Sequence, residues 1–157
     1  MIHGFIQFRS REIQSALGNS IVVEAQYIEL PKTLNMNSQA KSIRPFIGAK
    51  NYELSRSFYR DFGFQEVEIS HDMCVYKLDG NVAFYLQKYF VKDWVENTML
   101  FLEVQNTEEF RNEILKLDLD KKYPGVRISA IRNEVWGREF FVHDPSTILW
   151  HIGEFYS

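Results

Sequence analysis

The chain has little of what commits a protein to an oxidising compartment, a membrane or nucleic acid. It holds a single cysteine, Cys74, so no intramolecular disulfide can form, which fits a reducing compartment. Cys74 sits between apolar neighbours in a strand-like run, where a cysteine is more often a small buried hydrophobe than a nucleophile. No adjacent stretch supplies an activating base. No apolar run approaches the roughly 20 residues of a membrane-spanning helix, and the first residues lack the basic start and long apolar middle of a secretion signal. The formal net charge of -3 leaves no strong excess of either sign. It argues against nucleic acid as a partner and favours a cationic ligand only weakly. These absences lead us to expect a cytoplasmic protein with neither a membrane nor a nucleic acid as partner.

What is present is ample material for a core: 45% of the 157 residues are hydrophobic and 15% aromatic. That suffices for one domain, or two small units packed on one core, without staples. Residues 1–41 read as an N-terminal extension. Phe5–Phe8 and Ile21–Tyr27 are strand-like, Leu17-Gly18-Asn19-Ser20 reads as a turn, and Pro31–Ser42 is a polar linker. Met36 stands just ahead of the patterned part, so a second reading has translation starting there.

From residue 42 to 157 the pattern is denser and repeats. Ile43–Ala49 is a short apolar run whose Pro45 suits an edge strand. Asn51 is placed to cap a helix with Leu54, Phe58 and Phe62 on one face, and Gly63 to end it. Phe64–Ile69, Met73–Leu78 and Val82–Gln87 read as strands, the last two joined by an Asp79-Gly80-Asn81 turn. The order then recurs: Thr98–Val104 is a strand, Asn106 caps a helix with Glu109 completing a capping box, and Phe110, Ile114 and Leu117 form its apolar face. Val126–Ile131, Arg138–His143 and Ile148–Glu154 complete the second set. At one constant offset Phe46-Ile47 matches Phe101-Leu102, Asn51 matches Asn106 and Glu53 matches Glu108. The predicted fold is α+β: two β-α-β-β-β modules, about 42–90 and 97–157, whose curled four-stranded sheets surround a cleft.

Four stretches carry a family resemblance. They are Arg44-Pro45-Phe46-Ile47-Gly48-Ala49-Lys50 with Ser57-Phe58-Tyr59 and Phe62-Gly63-Phe64; Val82-Ala83-Phe84-Tyr85-Leu86-Gln87; Glu96-Asn97-Thr98; and Trp136-Gly137-Arg138-Glu139-Phe140 with Asp144-Pro145. With its duplicated module the chain resembles the vicinal oxygen chelate superfamily, and within it the bleomycin resistance proteins, over about three quarters of its length. The resemblance implies a metal-free homodimer that sequesters a small molecule, such as a bleomycin-like drug or a metabolite, in a dimer-interface crevice without chemistry or cofactor.

The enzymes of that superfamily place metal ligands on inward positions of four strands. By spacing these are Arg44, Tyr85, Met99 and His151 here. Only His151 suits an octahedral divalent ion, because a charged arginine does not ligate, tyrosine is a rare ligand and methionine a soft one. We therefore expect no metal and no catalytic residue. The alternative is a divalent-metal-dependent glyoxalase, transferase or dioxygenase with an unusual ligand set.

For ligand contact the first candidate is Trp136, since the matching Trp of the bleomycin resistance proteins stacks on the bound drug; the plainer reading is a core or rim Trp. Phe101 and Glu103 alternate with Met99, so all three should face the cleft, and an inward Glu is costly unless it meets water or a cation. Met73 lies where the family keeps an aromatic crevice residue. Tyr85, Arg44 and His151 complete the set, although His151 alone would equally serve as a hydrogen-bonded core residue. Arg138 and Glu139 read as a structural pair at a strand start. The aromatic segment Tyr89–Trp94 covers the cleft or seals the dimer seam. Residues 41–157 hold 18 acidic against 15 basic side chains, so an anionic or neutral ligand is as compatible as a cationic one.

Overall fold

Two ten-residue helices, each opened by an asparagine, frame the molecule. The computed structural model describes residues 40–78 and 82–156, which fall in the unit Gln39–Ser157. The strands read at Phe5–Phe8 and Ile21–Tyr27, most of the polar linker and the Asp79-Gly80-Asn81 turn lie outside the described residues. The first helix, α1 (Tyr52–Asp61), is capped by Asn51 Oδ1 accepting from Leu54 N at 3.1 Å. Glu53 in its first turn and Arg60 in its last complement the helix dipole, and Gly63 at φ +108° ends it. The equivalent helix α3 (Thr107–Lys116) is capped by Asn106 accepting from Glu109 N at 3.0 Å.

Each helix covers one sheet. In the first, β1 (Phe46–Gly48) lies parallel to β4 (Val82–Gln87), which pairs antiparallel with β3 (Met73–Leu78), and β3 with β2 (Gln65–Ser70). In the second, β5 (Met99–Glu103) lies parallel to β9 (Leu149–Phe155), which pairs with β8 (Gly137–His143). The repeat thus extends to topology, with the first strand of each module beside the last. Short helices α2 (Lys92–Val95) and α4 (Leu119–Lys122) fill the connections. No helix among the described residues is long and apolar enough to cross a membrane.

The second sheet departs from the expected four strands. Within Val126–Ile131 only β6 (Arg127–Ile128) is a strand, and a further short strand, β7 (Arg132–Asn133), follows it; both pair with β8, giving five. Ser129 causes the break: its N–H donates to Phe141 O and its hydroxyl accepts from Phe141 N at 2.9 Å. A side chain has replaced a rung of the ladder, and the strand bends there.

The two modules meet through their helix sides. Ile47, Cys74, Tyr76, Phe84 and Leu86 of the first sheet and Leu102, Phe140, Val142, Trp150 and Ile152 of the second are buried there. Tyr59, Phe64, Phe84 and Trp150 form a ring cluster with centroids 4.9–6.1 Å apart. Each large side chain so buried contributes roughly 1.5–3 kcal/mol. Cys74 is fully buried, with Tyr52 Oη 3.1 Å from its Sγ. Among the described residues, every hydrogen bond, ion pair and ring contact between the modules uses this side, and each sheet keeps one open face.

Candidate functional site

Strand alternation assigns the candidates to the open faces. On the first sheet Phe46, Tyr85 and Val75 lie in one cross-strand row, and Met73 and Gln87 in the next. The rings of Phe46 and Tyr85 stack at 4.5 Å, 13° from parallel. Arg44, on the same side by continued alternation, has a buried Nε with no hydrogen-bond partner among the described residues. On the second sheet the rows are Met99–Leu149–His143, Phe101–His151–Phe141 and Glu103–Gly153–Glu139. Trp136 leads into β8 beside them.

The seven sequence candidates therefore form two groups. Arg44, Met73 and Tyr85 share the first open face, and Trp136, Phe101, Glu103 and His151 the second. Among the described residues no hydrogen bond, ion pair or ring contact joins the groups.

The second face is the richer. Trp136, Phe101 and Phe155 form a corner with centroids 5.1–5.9 Å apart, yet are 38%, 45% and 56% exposed. Beside them His151 Nδ1 lies 2.9 Å from Glu139 Oε2, its ring set edge-on to Phe141 at 4.8 Å. The Arg132 guanidinium lies over Phe141 at 5.0 Å. His143 is held below the usual imidazole range by burial and then by Arg127.

Glu139 is the residue that sequence reasoning misassigned. Neighbours in a strand point to opposite faces, so Arg138 and Glu139 do not pair. Arg138 turns to the helix side and binds Glu154, its Nε donating to Oε1 at 2.8 Å, while Glu154 Oε2 accepts from Thr107 N at 2.8 Å at the start of α3. Glu139 is buried on the open side and meets His151. Alternation alone held that signal. Phe46, Phe141 and Phe155 were also missed, each at the parity of a residue that was identified.

The segment Tyr89–Trp94 packs against β1. Ala49 N donates to Tyr89 O at 3.0 Å, and a Cβ on Gly48 would lie 2.4 Å from that oxygen and 2.7 Å from Val95 Cγ2. A glycine at 48 lets α2 close over the strand.

The four positions equivalent to metal ligands divide between the faces, Arg44 and Tyr85 on one, Met99 and His151 on the other. Among the described residues no three His, Cys, Asp or Glu side chains are gathered as a metal site. A guanidinium, a phenol stacked on Phe46, a thioether and one imidazole do not fit a hard or borderline divalent ion.

No protein-family model matches the chain, and no curated protein matches its sequence. Solved structures do. The bleomycin-binding protein of Streptomyces verticillus, complexed with copper(II)-bleomycin, superposes with a TM-score of 0.61 at 19% identity over 73% of this chain and 96% of that one. The fold is that of the bleomycin-binding proteins. An antibiotic-binding protein of a Streptomyces species shares it, with a TM-score of 0.60 at 14% identity over 75% of this chain and 98% of that one. So does lactoylglutathione lyase of Agrobacterium tumefaciens, with a TM-score of 0.54 at 13% identity over 74% of this chain and 95% of that one. The bleomycin-binding protein and the lyase thus share one architecture, and this chain carries it.

Proposed function

We propose that this chain is a non-catalytic small-molecule binding protein of the bleomycin resistance type, active as a homodimer. The observation that carries the reading is the pair of open sheet faces. The modules spend their helix sides on each other, leaving Phe46 and Val67 exposed on one face and Met99, Phe101, Trp136 and Phe155 on the other. Apolar patches of this kind mark interaction surfaces.

A two-fold dimer that sets the first face of one chain against the second face of its partner would form two equivalent crevices. Each would unite Arg44, Met73 and Tyr85 with the partner's copies of the second group. Trp136 and Phe101 supply broad, rigid surface for a planar ligand, and Glu103, His151 and Arg44 supply polar contacts at its edges. Fold neighbours that bind bleomycin and antibiotics support a drug or a related metabolite as the ligand.

Sedimentation equilibrium together with metal analysis of the purified chain tests the proposal. A dimer with substoichiometric metal is expected. A monomer at micromolar concentration, or near-stoichiometric bound metal, would overturn it.

A further inference from the structure

We infer that the second open face recognises an aromatic compound bearing a hydroxyl group, and that His151, set by Glu139, is the acceptor of that hydroxyl's hydrogen bond. The inference rests on the binding reading above and gives it a ligand class. Glu139 Oε2 lies 2.9 Å from His151 Nδ1, a contact that favours the tautomer with its hydrogen on Nδ1 when the carboxyl group accepts. In that tautomer Nε2 carries the lone pair and can accept. The His151 side chain is 28% exposed, and no hydrogen bond to Nε2 is formed among the described residues. Glu139 itself is buried and cannot serve as the direct contact, which makes it a positioning residue.

The surroundings define what would reach that nitrogen. Phe101 on β5 and Phe141 on β8 are the direct cross-strand neighbours of His151. Phe101 is also in ring contact with Trp136 and Phe155. The aromatic corner of Trp136, Phe155 and Phe101 therefore ends on the strand position next to the imidazole. A flat ring system lying on Phe101 brings a substituent at its rim over His151, where a hydroxyl finds an acceptor and an ether or a bare C–H does not. Gly153, in the row beyond, carries no side chain between Glu103 and Glu139 and leaves the rim open. The other polar groups on this face are Glu103, Arg132 and His143. Of these Glu103 and the neutral imidazole of His143 compete as acceptors.

The test compares 2-naphthol with 2-methoxynaphthalene, equal in ring system and differing in the donor, by calorimetric titration of the full chain at about pH 8. Wild type is expected to bind the naphthol roughly five- to tenfold more tightly, the contribution of one hydrogen bond. His151→Phe, which keeps the ring volume, should bind both compounds equally, and Glu139→Gln should reduce the preference by releasing the tautomer. Equal binding by wild type would overturn the inference and leave the binding reading standing. A preference that survives in His151→Phe would overturn it in favour of Glu103 or His143. Binding of neither compound would overturn it too, and the screen that closes the Discussion would then decide the broader reading independently.

Discussion

Tyr59 Oη donates to Asp144 Oδ2 at 2.8 Å, joining α1 of the first module to the β8–β9 turn of the second across 85 residues of sequence. The same phenol oxygen accepts from Trp150 Nε1 at 3.2 Å, and Asp144 Oδ1 accepts from Ser146 N and Ile148 N, each at 2.8 Å. Three of these bonds, from Tyr59 Oη, Ser146 N and Ile148 N, direct donors at the carboxyl group. Burial nevertheless dominates, and Asp144 is pushed up to about 6. The Tyr59 phenol is likewise pushed well above its usual value by burial and then by Asp144, so it remains a donor.

A pH dependence follows from the Asp144 shift. Its folded-state value is above the ordinary aspartate value, so the folded chain holds the proton more tightly than the unfolded one. The stabilising contribution is full below about pH 4 and is lost as pH rises through about 6. Chemical denaturation of wild type and Asp144→Asn at pH 7 and pH 4 isolates this group. Wild type should gain roughly 2–3 kcal/mol on the variant on acidification. An unchanged difference would show that Asp144 titrates normally.

Tyr59→Phe removes the shared hydroxyl and leaves the Trp150 indole N–H and Asp144 Oδ2 unpaired in the core. Two buried groups without partners should cost roughly 2–4 kcal/mol, read as a lower urea midpoint with an unchanged slope. A loss below about 0.5 kcal/mol would mean that water replaces the phenol.

Gly153 lies on the open face between Glu103 and Glu139. A Cβ there would lie 2.6 Å from Arg138 O and 2.9 Å from Glu139 Cβ. Gly153→Ala should destabilise the chain by roughly 1–3 kcal/mol and push Glu139 away from His151, visible as a shift of the His151 ring signals in NMR spectra. Unchanged imidazole signals would show that the strand adjusts without moving Glu139.

Met99 is 65% exposed in the single chain, so its replacement by Glu should change the stability of an isolated subunit by less than about 0.5 kcal/mol. If the open faces meet in the dimer, the same change buries a charge and should weaken association at least about tenfold. Sedimentation of Met99→Glu at equal concentration would show monomer, whereas an unshifted dimer would place the interface elsewhere.

Much of this fold was legible in the sequence because its signals are local. Asn51 and Asn106 announce two helix starts, Gly63 an end, and the constant offset between modules predicts that β1 and β5 play the same part. Ser129 was not legible, because a serine in a strand-like run gives no sign that its hydroxyl will replace a backbone partner. The Arg138–Glu139 pairing failed for a different reason. Opposite charges adjacent in sequence suggest a pair, but strand geometry separates them to opposite faces, and each found its partner on β9. The site candidates fell on open faces because parity is readable. That they fall on two faces rather than one was not, since it depends on which side each module buries against the other.

The central claim is that the exposed aromatic face binds a small molecule. Thermal unfolding of the purified chain against copper-loaded and metal-free bleomycin, glutathione adducts of 2-oxoaldehydes, fosfomycin and aromatic diols tests it most directly, since a ligand that binds only the folded state raises the midpoint with concentration. At least one compound should give a saturable rise that Trp136→Ala abolishes. No rise with any compound, or a rise that Trp136→Ala leaves intact, would contradict the account.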